Sequence, residues 1–185
     1  MAWKIDPAHT TVGFSARHLG LTTVRGRFTR FSGEIDVDPA DLTTASGTVV
    51  VDLESVDTGN EQRDGHLRGD DFFGGEEHPT MTFTVTSVRP KGDDYVVAGD
   101  LTIKGITRPV EFLLEDVGQA ADPWGGRRLG GTLKGTIDRR DWGLKWNAAV
   151  DAGGLLVSEK IKIEVDGQLT EVAQPAEAKA EAGVA

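Results

Sequence analysis

The chain has 185 residues, no cysteine, and a net charge of −10 from 30 acidic and 20 basic side chains. That length suits one domain with a sizeable core. The missing cysteines exclude disulfides, thiolate nucleophiles, Cys-ligated zinc and iron–sulfur clusters, and an acidic surface without a basic stripe excludes nucleic acid as a partner.

The N-terminal MAWKIDPAHT has no basic patch leading into an apolar core, as a secretory signal would. The expectation is a cytoplasmic chain, although a processed periplasmic or secreted form begun at a replacement Met1 would read the same. Apolar runs such as VVV at 49–51 and FLL at 112–114 are far too short for a membrane-spanning helix.

Alternation with period two then dominates. Val12, Phe14 and Ala16 share one face, with Gly13, Ser15 and Arg17 on the other. DPAD at 38–41 marks a turn, and 39–44 has some helical turn character. Residues 59–72 read as helix, with Asn60 as N-cap and Glu61 in the first turn. Leu67, Phe72 and Phe73 would anchor that segment. Arg63, Asp64, Arg68, Asp70 and Asp71 would form a largely solvated face, whose exposed ion pairs contribute only ~0–1 kcal/mol each.

Further on, Met81, Phe83 and Val85 alternate with Thr82, Thr84 and Thr86. Leu101 and Ile103 alternate with Thr102 and Lys104. Val110, Phe112 and Leu114 alternate with Glu111 and Glu115, Leu113 breaking the polar face. Leu133 and Ile137 oppose Lys134 and Asp138. The cleanest run sets Ile161, Ile163 and Val165 against Lys160, Lys162, Glu164 and Asp166. These are half-buried strands, punctuated by turn signals at KGDD 91–94, GITRP 105–109 and DPWGG 122–126. Residues 171–185, EVAQPAEAKAEAGVA, lack an apolar face and read as a disordered tail behind a domain of residues 1–170.

About eight strands joined by short links imply antiparallel neighbours, as a barrel or a sandwich. Glycines inside strand patterns, among them Gly13, Gly26, Gly33, Gly99, Gly105, Gly131 and Gly135, favour strongly coiled strands and hence a closed barrel. Such a barrel is either packed solid or holds one small molecule. Small residues at the inward positions Ala16, Gly26, Gly99 and Gly135 suggest that side chains leave space. Strands of about ten residues at ~3.3 Å rise and near 40° tilt enclose a tube roughly 25 Å long. By alternation its lining is Val12, Phe14, Phe28, Met81, Phe83, Leu101, Ile103, Phe112, Leu114, Ile137, Ile161 and Ile163.

Residues 60–79, NEQRDGHLRGDDFFGGEEHP, concentrate charge and two histidines, yet no metal or catalytic pattern emerges. His66 and His78 are twelve apart and His9 and His18 nine apart, neither a ligand spacing. Asp36, Asp38 and Asp41 superficially suggest a calcium loop, but its twelfth position would be Gly47 and Pro39 intrudes. G-x-S-x-G, Walker and G-x-G-x-x-G patterns are missing. The stretch reads as a structural helix and lid.

Several ordered stretches also carry a family resemblance: WKIDPAHTTVGFSARH (3–18), VRGRFTRFSGEI (24–35), RDGHLRGDDFF (63–73), HPTMTF (78–83), GDLTIKGITRPV (99–110), DRRDWGL (138–144) and EKIKIEVDGQL near the end. Over about 3–169 the chain resembles the YceI-like family, lipocalin-like polyisoprenoid-binding proteins. The resemblance implies an all-β fold: an extended eight-stranded antiparallel barrel with a short helix between the third and fourth strands. It also implies a bound polyisoprenoid, isoprenoid quinone or fatty-acid-like chain and no catalytic cofactor. Within the matching stretches His18, Arg63, Asp64 and Trp142 offer hydrogen bonds or ring stacking to a head group. Two departures stand out: Trp142 replaces the Phe expected in a D-F-G-like stretch, and the G-x-W fingerprint of true lipocalins is missing.

The expected function is to store, carry or sequester the lipid unchanged. The alternative is an isomerase or hydrolase acting on such a lipid through His18 or His66 with a nearby carboxylate. Transient membrane contact would serve lipid exchange. Exposed barrel surface is open to pairing as a homodimer, which no sequence feature requires.

Overall fold

The computed structural model describes residues 1–149 and 154–172. Eleven strands follow one another as β1 (Ala2–Ile5), β2 (Thr11–His18), β3 (Thr22–Phe28), β4 (Phe31–Asp38), β5 (Asp41–Asp52), β6 (Val56–Asp57), β7 (Thr80–Lys91), β8 (Asp94–Ile103), β9 (Ile106–Ala121), β10 (Arg127–Asp138) and β11 (Lys160–Glu171). The helix α1 (Glu61–Arg68) lies between β6 and β7. The expected tail, apart from Glu171 in β11 and Val172 just beyond it, lies outside the described residues.

Every pairing is antiparallel, and the sheet closes on itself. β1 pairs with β4 through Trp3 opposite Ile35, and with β11 through Trp3 opposite Glu171. The closed ring is β1-β4-β5-β7-β8-β9-β10-β11, eight strands. Toward its other end β11 leaves β1 and pairs with β2 from Asp166 to Lys162, and β2 carries β3 and the short β6. One end of the barrel is thus shut by β1 and β4, and the other is spread by the β2–β3–β6 flap.

Two interruptions create this fork. Pro7 ends β1, and Asp6 caps the following turn by accepting the Ala8 N–H at 3.0 Å. The chain breaks again at Thr29–Arg30, whose N–H groups both donate to the buried Ser55 hydroxyl at 3.1 and 3.0 Å. These breaks split 2–18 and 22–38 into two strands each. The helix therefore follows β5 and β6, instead of falling between the third and fourth strands as expected.

The turns at 39–40, 92–93 and 122–126 fall where the sequence puts them. GITRP does not: the turn is Lys104–Gly105, both with positive φ (52° and 72°), the two-residue hairpin geometry that matches strand twist. Ile106 to Pro109 already belong to β9, with Pro109 opposite Asp100.

The core forms two clusters. At the shut end Trp3 is fully buried among Val37, Leu42, Val88, Val97 and Leu129, and donates its indole N–H to the Val37 carbonyl at 3.2 Å. Toward the flap, Val12, Phe28, Leu53, Phe72, Phe73, Leu101, Phe112 and Trp142 pack together. Three inward glycines do not leave the space expected of them. A Cβ on Gly26 would collide with the Phe14 ring, on Gly99 with Phe83, and on Gly135 with Phe112. Phe14–Gly26 and Phe112–Gly135 face each other across adjacent strands: the register of β9 and β10, with Leu114 opposite Leu133, sets the second pair. The glycines make room for aromatic rings.

Candidate functional site

Interior space nevertheless remains, as two adjoining chambers. The mouth chamber, about 550 Å³, lies beneath α1 and the segment after β10. The inner chamber, about 290 Å³, lies deeper, toward the shut end. Met81, Ile103, Ile137 and Ile163 line both. The mouth chamber falls within the usual ~300–1,000 Å³ range of small-molecule sites, and the inner one sits at its lower edge.

The twelve residues named by alternation, with His18 and Arg63 from the family-like stretches, fall on the walls of the two chambers. Val12, Phe83, Leu101, Phe112 and Leu114 face the inner chamber, Phe14, His18, Phe28, Arg63 and Ile161 the mouth chamber, and Met81, Ile103, Ile137 and Ile163 both. Asp64 and Trp142 line neither. Asp64 is only 4% exposed, so it does not belong to a solvated face. Its carboxylate accepts the Thr58 N–H at 3.0 Å and the Thr58 hydroxyl, fixing α1 to the chain that leads into it. Trp142 is buried and donates its indole N–H to the Leu101 carbonyl at 2.9 Å. A buried polar group takes the nearest partner that spares it desolvation, and for both residues that partner is protein.

α1 is held from several sides. Asn60 accepts the Arg63 N–H at 2.9 Å as N-cap, satisfying one of the free donors of a helix start. Arg63 donates from Nε to the Thr58 hydroxyl at 2.7 Å and from its guanidinium to the Thr58 carbonyl at 2.9 Å. Phe73 and Phe28 approach to 5.9 Å between ring centroids, and Phe28 and Phe14 to 5.4 Å. His66 packs edge-on against Trp146 at 4.6 Å and Phe72 at 5.1 Å, while its Nε2 lies 2.9 Å from Asp71.

Arg17 lines the chamber although alternation puts it on the outer face of β2, and other lining residues have no period-two signal: Asn60, Gln62 and His66, then Arg139, Leu144, Trp146, Leu156 and Val157. Most stand on α1 or on the segment between β10 and β11, which no strand pattern governs. Arg139 is the least expected. It is 5% exposed and donates to the carbonyls of Ser158 (3.0 Å), Leu144 (2.5 Å) and Val157 (3.5 Å). Burial pushes its pKa below the ordinary arginine value. Its neighbour Arg140 points away, clasps Asp138 at 2.6 Å and meets Glu159 at 3.1 Å. The hydrogen bond from Arg140 holds the Asp138 carboxyl well below the usual carboxylate range.

Among the described residues no group of three or more His, Asp or Glu side chains converges as metal ligands would. The inner chamber has no ionisable lining residue; its polar contributions come from Thr10, Thr82, Gln168 and backbone at glycines. A closed antiparallel barrel, a capped helix across one end and an apolar tube behind it form one arrangement, and the YceI-like domain pattern matches residues 3–169.

The chain belongs to the YceI-like family. It is 35% identical over 169 residues to a UPF0312 protein of Staphylococcus epidermidis, covering 91% of this chain and 96% of that one. It is 37% identical over 167 residues to the protein YceI of Escherichia coli, covering 89% and 85%. Among solved structures, BcnA of Burkholderia cenocepacia superposes with a TM-score of 0.74 at 25% identity, covering 91% of this YceI-like chain and 99% of BcnA. A polyisoprenoid-binding domain from Saccharophagus degradans, described as implicated in plant cell wall breakdown, shares the fold with a TM-score of 0.65 at 18% identity, covering 92% and 98%.

Proposed function

We propose that this YceI-like barrel holds one long-chain amphiphilic lipid, a polyisoprenoid, isoprenoid quinone or fatty-acid-like chain, and stores, carries or sequesters it unchanged. The carrying observation is the pair of adjoining chambers, largely apolar in depth and, among the described residues, charged at the mouth alone. An empty apolar tube forfeits dispersion contacts along its wall. A hydrocarbon tail restores them and gains ~0.8 kcal/mol per buried methylene, about 8 kcal/mol gross for ten, before association costs. Firm retention therefore needs no covalent bond. The polyisoprenoid named for the Saccharophagus domain supports the same ligand class here.

Exchange with a membrane would run through the mouth rim. There Leu21 is 75% exposed beside exposed Leu19, and Leu155 is exposed next to Leu156, whose carbonyl accepts the Leu19 N–H at 2.9 Å. The test of the whole reading is denaturing solvent extraction of freshly purified protein with mass spectrometry of the extract, beside native mass spectrometry of the intact complex. One defined lipid per chain is the expected result. An empty barrel that takes up no added isoprenoid or acyl chain would overturn it.

A second reading rests on the His66–Asp71 contact at 2.9 Å at the chamber wall, the geometry of an imidazole oriented by a carboxylate. Conversion of added lipid, abolished by His66→Ala, would favour an isomerase or hydrolase. Recovery of unchanged lipid favours the carrier.

A further inference from the structure

The charges around the mouth chamber run against the charge of the molecule. The chain carries 30 acidic and 20 basic residues, yet among the described residues the ionisable groups lining this chamber are Arg17, Arg63, Arg139, His18 and His66, with no carboxylate. Seven arginines elsewhere sit within 4 Å of a carboxylate. The three that line the chamber do not, among the described residues. Of the rest, Arg25 and Arg108, outside the chamber, share that condition.

The reason lies in how neighbouring carboxylates are engaged. Asp138 and Glu159 flank Arg139 in sequence or across the strand pair, but Arg140 and Lys160 take them on the outer surface. Asp64 follows Arg63 directly, but turns onto Thr58. Arg139 is left as a buried cation among three neutral carbonyls. A guanidinium has five N–H donors, so two remain after those bonds. An unpaired buried charge is costly, and a well-placed counter-charge offsets that cost.

We propose that the lipid held here carries an anionic head group, a carboxylate or a phosphate ester, seated in the mouth chamber against Arg139 and Arg63 with its tail in the inner chamber. This rests on the reading of the cavity as a lipid site. The head group is the counterion that the described residues do not supply to these arginines. Hydrogen bonds to charged partners contribute ~1.5–3 kcal/mol each, so one such contact amounts to roughly ten- to hundredfold in affinity.

The experiment compares oleate, oleyl phosphate and oleyl alcohol, which share one tail, by titration calorimetry on delipidated full-length protein at neutral pH. Oleate or oleyl phosphate should bind at least roughly tenfold tighter than the alcohol, as one charged contact implies. The ratio of anion to alcohol affinity should shrink in Arg63→Gln and in Arg139→Gln. The better anion tells whether the natural head is a carboxylate or a phosphate. Arg139 also ties together three carbonyls; should its variant fail to fold, Arg63→Gln and a salt series on the native protein decide. Equal binding of anion and alcohol overturns the head-group assignment and leaves lipid binding standing. Binding of none of the three overturns the lipid site itself.

Discussion

The two chambers differ in what builds them, and the difference separates capacity from choice. Strand side chains make nearly all of the inner wall, most of them on the closed ring, and among the described residues none is ionisable. The mouth chamber borrows much of its wall from α1 and the segment after β10, and among the described residues gathers Arg17, Arg63, Arg139, His18 and His66. Burial of hydrocarbon in the first is non-directional and grows with chain length. Contacts in the second are directional, and can tell one head group from another. On the proposed reading, the inner chamber would set how much tail is held, and the mouth which head group is accepted.

Substitutions can break that division or sharpen it. Trp142→Ala should have the largest effect, because it removes a buried ring and leaves the Leu101 carbonyl without its donor. Loss of about 3–5 kcal/mol is expected in urea denaturation, with both chambers compromised together. Met81→Trp comes next. It enlarges a side chain where the chambers meet, so the gain of ~0.8 kcal/mol per methylene should stop at a shorter acid in a chain-length series. An unchanged plateau would show that the tail does not pass Met81. Asp64→Ala should cost about 1–3 kcal/mol by leaving the Thr58 N–H unpaired. It should speed lipid exchange, measured by stopped-flow transfer to vesicles, without altering the chain-length plateau.

The inner chamber was legible in the sequence and the mouth largely was not. Strict alternation in residues such as Ile161 and Ile163 against Lys160 and Lys162 already decides which side chain faces inward, because closure buries one face of every strand. The residues of α1 have no such rule. Asp64 and Arg63 are adjacent and both polar, and only the docking of the helix decides that Asp64 turns onto Thr58 while Arg63 reaches the chamber. Arg139 and Arg140 are likewise identical in type, and the end of β10 sends one inward and one out. Trp142 lies in a family-like stretch and could offer a hydrogen bond or ring stacking to a head group, but its indole N–H is committed to the Leu101 carbonyl. The resemblance implies a helix after the third strand, whereas the breaks at Pro7 and Thr29–Arg30 divide the first two long strands and make the helix follow β5 and β6.

Gly26 and Gly135 were read one at a time, as missing volume. Their meaning lies across the strand boundary, where Phe14 and Phe112 lie over them. Each pair shares a single side-chain volume between two positions far apart in the chain. Such positions are mutationally linked: a methyl group gained at the glycine is tolerable only when the ring opposite is surrendered, and a ring lost alone widens the bore. Over many generations the calibre of this barrel would be revised pair by pair, with Phe and Gly exchanged for two residues of middling size. Covariation between such sites would record how the width of the bore has changed.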